Sequence, residues 1–236
     1  MIPNLMLINL ISAKMAQQFI VNCVYNDNST LKALKDPKDE TYVTFTIYQT
    51  HPNQISGLDV LAWQKVDVFP GGQEAVTWNE TYNAYLTKYV DNPSVGKIYS
   101  SSQRKTASFK DEFIVADEQG IQYIQKKDSS SEDNTISILN TFVNAANIGL
   151  GMDDSLALGI ADVPDINTIF KISPIYYLNV YTNLILGQVI SSVGLIGDSR
   201  ILQFPPNKSL ATATLTKTGQ VFDLKIEYFI LPKKIT

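Results

Sequence analysis

Histidine and cysteine occur once each in this 236-residue chain, as His51 and Cys23, and arginine only twice, as Arg104 and Arg200. Each shortage removes a class of chemistry. One cysteine cannot build an intramolecular disulfide or a multi-thiolate zinc site, and one histidine cannot supply the paired imidazoles of common metal motifs. No cofactor or metal is expected. Two arginines leave little capacity for forked recognition of phosphate or carboxylate, and a net charge of -4 with a pI near 5.0 gives no electrostatic pull toward nucleic acid. A Ser or Cys nucleophile would need His51 as its base. That residue sits in a His51-Pro52-Asn53 turn with no partner motif, so a structural role is the simpler reading. The chain reads as a non-enzyme.

Charge is scarce as well. Charged residues make up 18% of the sequence, below the ordinary quarter, while 44% is hydrophobic and fills a sizeable core. Ser, Thr, Asn and Gln must then cover much of the surface, which suits identical copies as partners better than a strongly charged ligand. Residues 1–16 form an apolar arm. Its run from Leu5 to Ile11 is broken by Asn9, lacks a basic lead-in, and is far too short to span a bilayer, so neither a signal peptide nor a membrane span is expected. The location is left open, with extracellular and intracellular storage compartments both compatible. An arm of this kind packs on its own core or is lent to a neighbour, which makes Leu5, Leu7 and Leu10 candidate assembly contacts.

What the sequence has in quantity is β pattern. Residues 17–236 read as one domain of many short strands, an all-β, antiparallel β-sandwich with Gly, Pro and Asn turns every eight to twelve residues or so. Predicted strands include Gln18 to Asn26, Thr41 to Gln49, Val60 to Phe69, Thr81 to Val90, Val95 to Ser102, Leu184 to Ser192 and Val221 to Phe229. Thr41 to Gln49 is expected to be half-buried, with Val43, Phe45 and Ile47 inward and Thr44, Thr46 and Tyr48 outward. No internal repeat is visible, and only a short turn at Thr141 to Ala146 has any helical character.

Asn147 to Pro164 carries Gly149, Gly151 and Gly159 among aliphatics, with Asp153 and Asp154 between them. A phosphate loop would need a helix directly after such glycines, and none follows, so a hairpin with a tight turn is predicted. The two acids do not match a helix-loop-helix calcium loop, and adjacent positions do not flank one glycosidic bond. They are candidates for an intersubunit contact instead. Cys23 shares strand parity with Phe19, Val21 and Tyr25, which favours a buried apolar role, but a lone cysteine also admits a disulfide between chains.

Tyrosines at 42, 48, 82, 85, 89, 176 and 177 and Trp63 are too many to share one core. Cross-strand packing is the plainer reading, and a stacking platform for glycans the sharper one. Asn28-Ser29-Thr30, Asn79-Glu80-Thr81 and Asn207-Lys208-Ser209 fit the glycosylation sequon, which matters only in a secretory pathway.

Leu61-Ala62-Trp63, Phe69-Pro70-Gly71-Gly72 with Trp78 behind it, Asn147 to Asp154, Phe204-Pro205-Pro206-Asn207 and Ala211-Thr212-Ala213-Thr214-Leu215 follow one another in an order that resembles the RhiA family. These are bacterial rhizosphere-expressed, quorum-sensing-regulated proteins. The resemblance spans roughly Gln18 to Glu227 and implies a shared fold, with no enzyme activity, cofactor or catalytic residue to carry over. A fainter likeness is to octin, a fungal protein that forms vacuolar crystals. The function expected from residues and resemblance together is a non-enzymatic structural protein that self-assembles into homo-oligomers or higher-order arrays. The alternative is a lectin-like carbohydrate-binding module using Trp63 and the exposed tyrosines.

Overall fold

A computed structural model describes residues 18–27, 42–49, 57–94, 96–130, 132–140, 146–163, 167–171, 176–191 and 194–230. The arm with Leu5, Leu7 and Leu10, His51, and most of the turn at 141–146 lie outside them. The regular structure of the described residues is β. In chain order the strands are β1 (Gln18–Asp27), β2 (Val43–Gln49), β3 (Leu58–Val60), β4 (Gln64–Val68), β5 (Gln73–Asn79), β6 (Tyr82–Asn92), β7 (Gly96–Ala107), β8 (Asp111–Glu118) and β9 (Ile121–Ser130). They continue as β10 (Thr135–Asn140), β11 (Ala146–Met152), β12 (Ser155–Val163), β13 (Asn167–Lys171), β14 (Tyr176–Tyr181), β15 (Arg200–Leu202), β16 (Leu210–Thr218) and β17 (Val221–Phe229). The all-β reading holds, as several mainly antiparallel sheets packed together; β1 with β16 and β8 with β10 are the parallel pairs.

Four sheets share one apolar core. Val21 and Cys23 enter it from β1, Phe45 and Ile47 from β2, Phe113 and Ile136 from β8 and β10, and Ile148 and Leu150 from β11, all at 2% exposure or less. Their parity follows the period-two pleat, which is why the apolar alternation is visible in the sequence. At β2 the half-buried expectation is corrected, because Thr44, Thr46 and Tyr48 are buried too. On that outer face, Tyr181 of β14 packs with Leu184 and Leu195 from the β14–β15 connection and donates its hydroxyl to the Ser191 carbonyl at 2.8 Å.

The pairing pattern occurs twice. One sheet runs β17-β16-β1-β5 and another β9-β8-β10-β13; each is a hairpin, then a parallel neighbour, then an antiparallel edge strand. The other two correspond likewise, β4-β2-β14-β15 against β12-β11-β6-β7, with β3 added beyond β12. Strands β8 to β15 make one set, and the C-terminal hairpin completes the set begun at β1. Contacts at the junction are reciprocal: the Tyr82 hydroxyl bonds the Gln49 side chain, and that of Tyr176 reaches the Met152 sulfur at 3.8 Å. The sequence shows no repeat to match it. The repetition lies in backbone pairing, which accepts Gln49 and Met152, or Phe113 and Ala213, at equivalent positions.

Where a strand is predicted over Leu184 to Ser192, residues 184–191 form a strap that closes the five-stranded sheet β3-β12-β11-β6-β7 upon itself; Ser192 lies outside the described residues. Isolated bridges join Leu61 to Val189 and Ile98 to Gln188, with Tyr99 N–H donating to Gly187 O and Ala62 N–H to Gln188 O, each at 2.8 Å. The strap bonds part of both edges, Ile190 N–H also donating to Val60 O at 2.8 Å and Val189 N–H to Lys97 O at 2.9 Å. Val60 to Phe69 is likewise split at Leu61-Ala62-Trp63, where the chain leaves the β12 edge for another sheet.

Candidate functional site

Asp153 and Asp154 occupy the two-residue turn between β11 and β12, and the structure separates their roles. Asp153 has φ of 50°, a left-handed conformation that aspartate tolerates better than most residues. Its carboxylate accepts from Asn79 N–H at 2.9 Å and the Thr81 hydroxyl at 3.0 Å, while its own N–H donates to Thr81 O at 2.9 Å. The Asn83 amide donates to its carbonyl. Asp153 thus ties the β11–β12 turn to the β5–β6 connection. Asp154 points outward, 83% exposed, and pairs with Arg104 of β7, whose guanidinium pKa is raised chiefly by that hydrogen bond. An open cleft of about 550 Å³ runs over these groups, with Thr77 and Thr106 on its walls. It presents hydroxyls, side-chain amides and one ion pair.

The three glycines of the same hairpin serve packing. Gly149 is paired with Gly159, and a Cβ on Gly159 would stand 2.8 Å from Cε1 of Tyr99, whose ring fills the inside of the closed sheet with Leu61, Tyr85 and Leu156. Trp63 holds the hairpin end by donating Nε1–H to Met152 O at 3.1 Å.

A second cluster was not foreseen. Asp59 of β3 accepts from the Tyr99 hydroxyl at 2.6 Å and from Lys97 Nζ at 3.1 Å, and burial followed by the Asp59 hydrogen bond raises the Tyr99 pKa. Lys97 also lies 4.9 Å from the centre of the Tyr89 ring. The cluster borders a cleft of about 580 Å³ at the mouth of the closed sheet, with Asn183 and Ser191 opposite. Thirty-eight positions separate Asp59 from Lys97, and only the closing of the sheet joins them.

Trp63 is fully buried and stacks on Tyr176 at 5.9 Å, with Trp78 edge-on at 5.4 Å. Tyr82, Tyr85 and Tyr48 are buried as well. The exposure expected of these rings is therefore corrected: Trp63, Tyr82, Tyr85 and Tyr176 pack in the core, Tyr48 is buried against Tyr177, and Tyr42, Tyr89 and Tyr177 are partly open. Cys23 is fully buried in β1, and desolvation drives its thiol pKa far above the ordinary value. A thiol so placed cannot reach another chain while the fold is intact, so Cys23 leaves the set of candidate contacts. Among the described residues no group of three His, Cys, Asp or Glu side chains is placed to hold a metal ion, and no helix is long and apolar enough to cross a membrane.

Fold and candidate site together define an all-β protein whose notable acids are bound into turns and whose notable aromatics fill the core. The sequence matches the family model described as RhiA over residues 26–227, and the chain belongs to the RhiA family. No curated protein and no solved structure matches the chain.

Proposed function

We propose that this chain is a structural protein that assembles with copies of itself and carries out no catalysis. The observation that carries the reading is a set of exposed apolar side chains at one end of the β17-β16-β1-β5 sheet. Phe229 and Ile230, 43% and 68% exposed, follow one another at the end of β17, and Ile201 of β15, 57% exposed, comes to this end through its backbone carbonyl, which the Tyr228 hydroxyl meets. Gln18 lies at this same end, because Ile20 pairs with Leu210 and Leu210 with Phe229. The apolar arm of residues 1–16 precedes this end of the sheet in the chain. Apolar surface gathered in one place marks an interaction site more than scattered single residues do.

The glycan alternative is weakened, since Trp63 and Tyr176 are inside the protein, and it retains only the partly open Tyr42, Tyr89 and Tyr177. Sizing chromatography with light scattering on the full chain tests the assembly reading. A dimer or larger species is expected, and a monomer at every concentration overturns it. A chain beginning at Met15 then measures how much of the contact Leu5, Leu7 and Leu10 supply.

A further inference from the structure

The doubled pairing pattern supplies an internal comparison between two edge strands, β9 and β17. Each follows a two-residue turn, Gln119-Gly120 or Gly219-Gln220, and each pairs with its hairpin partner from the flanking residue outward, Glu118 with Ile121 and Thr218 with Val221. In such hairpins the flanking residues exchange both backbone bonds, so the even-numbered residues that follow turn their N–H and C=O groups away from the partner. In β9 two of those outward groups are occupied, by one side chain. Gln103 of β7 donates its amide to Gln122 O at 2.9 Å and accepts from Ile124 N–H at 3.3 Å.

In β17 the equivalent run is open. Phe222, Leu224 and Ile226 have no outward backbone partner among the described residues; only at Tyr228 does the Lys208 ammonium reach the carbonyl, at 3.0 Å. Strand length explains the difference. β7 has 12 residues and passes along β9, whereas its counterpart β15 has 3 and reaches no further than Tyr228. On the core side Leu224 is buried, but Phe222, Ile226 and Tyr228 are only half-covered. An open edge backed by half-covered apolar residues is a template for another strand.

We propose that the occupant is β17 of a second copy, paired antiparallel across a two-fold axis; this rests on the self-assembly reading above and names its contact. The outward row of β17, Asp223, Lys225 and Glu227, is exposed and makes no ion pair with the described residues. That row is complementary to itself. A two-fold axis keeps both cores on the same side of the continued sheet only if it passes through a residue or midway between residues of like parity. Centred on Leu224 it sets Lys225 opposite Asp223 of the second copy, and centred on Ile226 it sets Lys225 opposite Glu227. Centring on Lys225 would oppose like charges and is disfavoured. The interface is isologous, so the pairing closes as a dimer and joins two four-stranded sheets into one of eight.

Charge exchange on the full chain tests this without touching the core. Lys225→Glu makes the row wholly acidic, and Asp223→Lys with Glu227→Lys makes it wholly basic. Each variant alone should dissociate at least tenfold more readily than the parent in sizing chromatography with light scattering, and a mixture of the two should re-form the parental species. Circular dichroism matching the parent confirms that both are folded. Hydrogen exchange gives a second readout: the amides of Phe222, Leu224 and Ile226 should slow as protein concentration rises. If the parent assembles and Lys225→Glu assembles equally well, the β17 contact is overturned while self-assembly stands. If removing residues 1–14 abolishes assembly and the charge variants do not, the arm is the contact and β17 is overturned. A monomeric parent overturns both.

Discussion

Tyr99 lies against Gly159, so close that a methyl group there would come within 2.8 to 3.1 Å of three ring atoms. The ring cannot swing away, because its hydroxyl is held by Asp59 at 2.6 Å and its backbone N–H by the strap at Gly187. Gly159→Ala should therefore cost about 1–3 kcal/mol, the ordinary penalty for overpacking a well-filled site. The urea midpoint measures it. Replacing Tyr99 with Leu in the same chain should remove most of the penalty, giving a coupling above about 0.5 kcal/mol between the two positions. Additive effects would mean that the ring does not set the requirement for glycine.

The adjacent acids should respond unequally to replacement. Asp153→Ala removes the acceptors for Asn79 N–H and the Thr81 hydroxyl and places alanine at a φ of 50°. A loss of about 1–3 kcal/mol is expected from the unpaired groups and the backbone conformation. Asp154→Ala breaks only the exposed pair with Arg104 and should leave the urea midpoint unmoved. Equal losses at the two positions would overturn the division of roles.

How far the sequence foretold this depends on the kind of contact. Phe222, Leu224 and Ile226 alternate with Asp223, Lys225 and Glu227, so β17 could be read directly from its pleat. The hairpin at Asp153 and Asp154 was legible for the same reason, since turn residues act locally. Trp63 was not, because a core that four sheets share holds more aromatics than a two-layer sandwich would. Nor was the strap. Gln188 and Val189 are held by Ile98 and Leu61, 90 and 128 positions away, and their own residues carry no mark of that pairing. The doubled architecture stayed hidden because hydrogen-bonded backbones can keep a pattern after side chains have diverged.

Alkali should unfold the protein through its buried phenols. Tyr82, Tyr99 and Tyr176 all have raised pKa values, with burial the leading cause in each. In the unfolded chain they ionise near pH 10. Below that pH both states hold neutral phenols and the stabilisation is complete. As pH rises toward the folded values, the unfolded chain loses protons that the folded one retains, and each tyrosine withdraws up to about 1.4 kcal/mol per pH unit. Phenolate absorbance should rise in two stages, exposed tyrosines first and these three only as the circular dichroism signal collapses. All twelve tyrosines titrating together near pH 10 in a folded chain would contradict their burial.

Cys23 offers a check on the proposed association of copies. Its side chain faces the core between Ala213 on one side and Glu74 on the other in the pairing of β1, and none of its surface is exposed. A thiolate is the reactive form, and desolvation suppresses it here. A thiol-specific disulfide reagent should leave the native chain unlabelled for as long as the fold holds and label one site at once in guanidinium. Non-reducing electrophoresis of assembled protein should show single chains. Cys23→Ala should then assemble as the parent does, because association through β17 needs strand edges and charge, with no covalent link. A ladder of disulfide-linked chains that disappears in the alanine variant would return the thiol to the interface and require β1 to open during assembly.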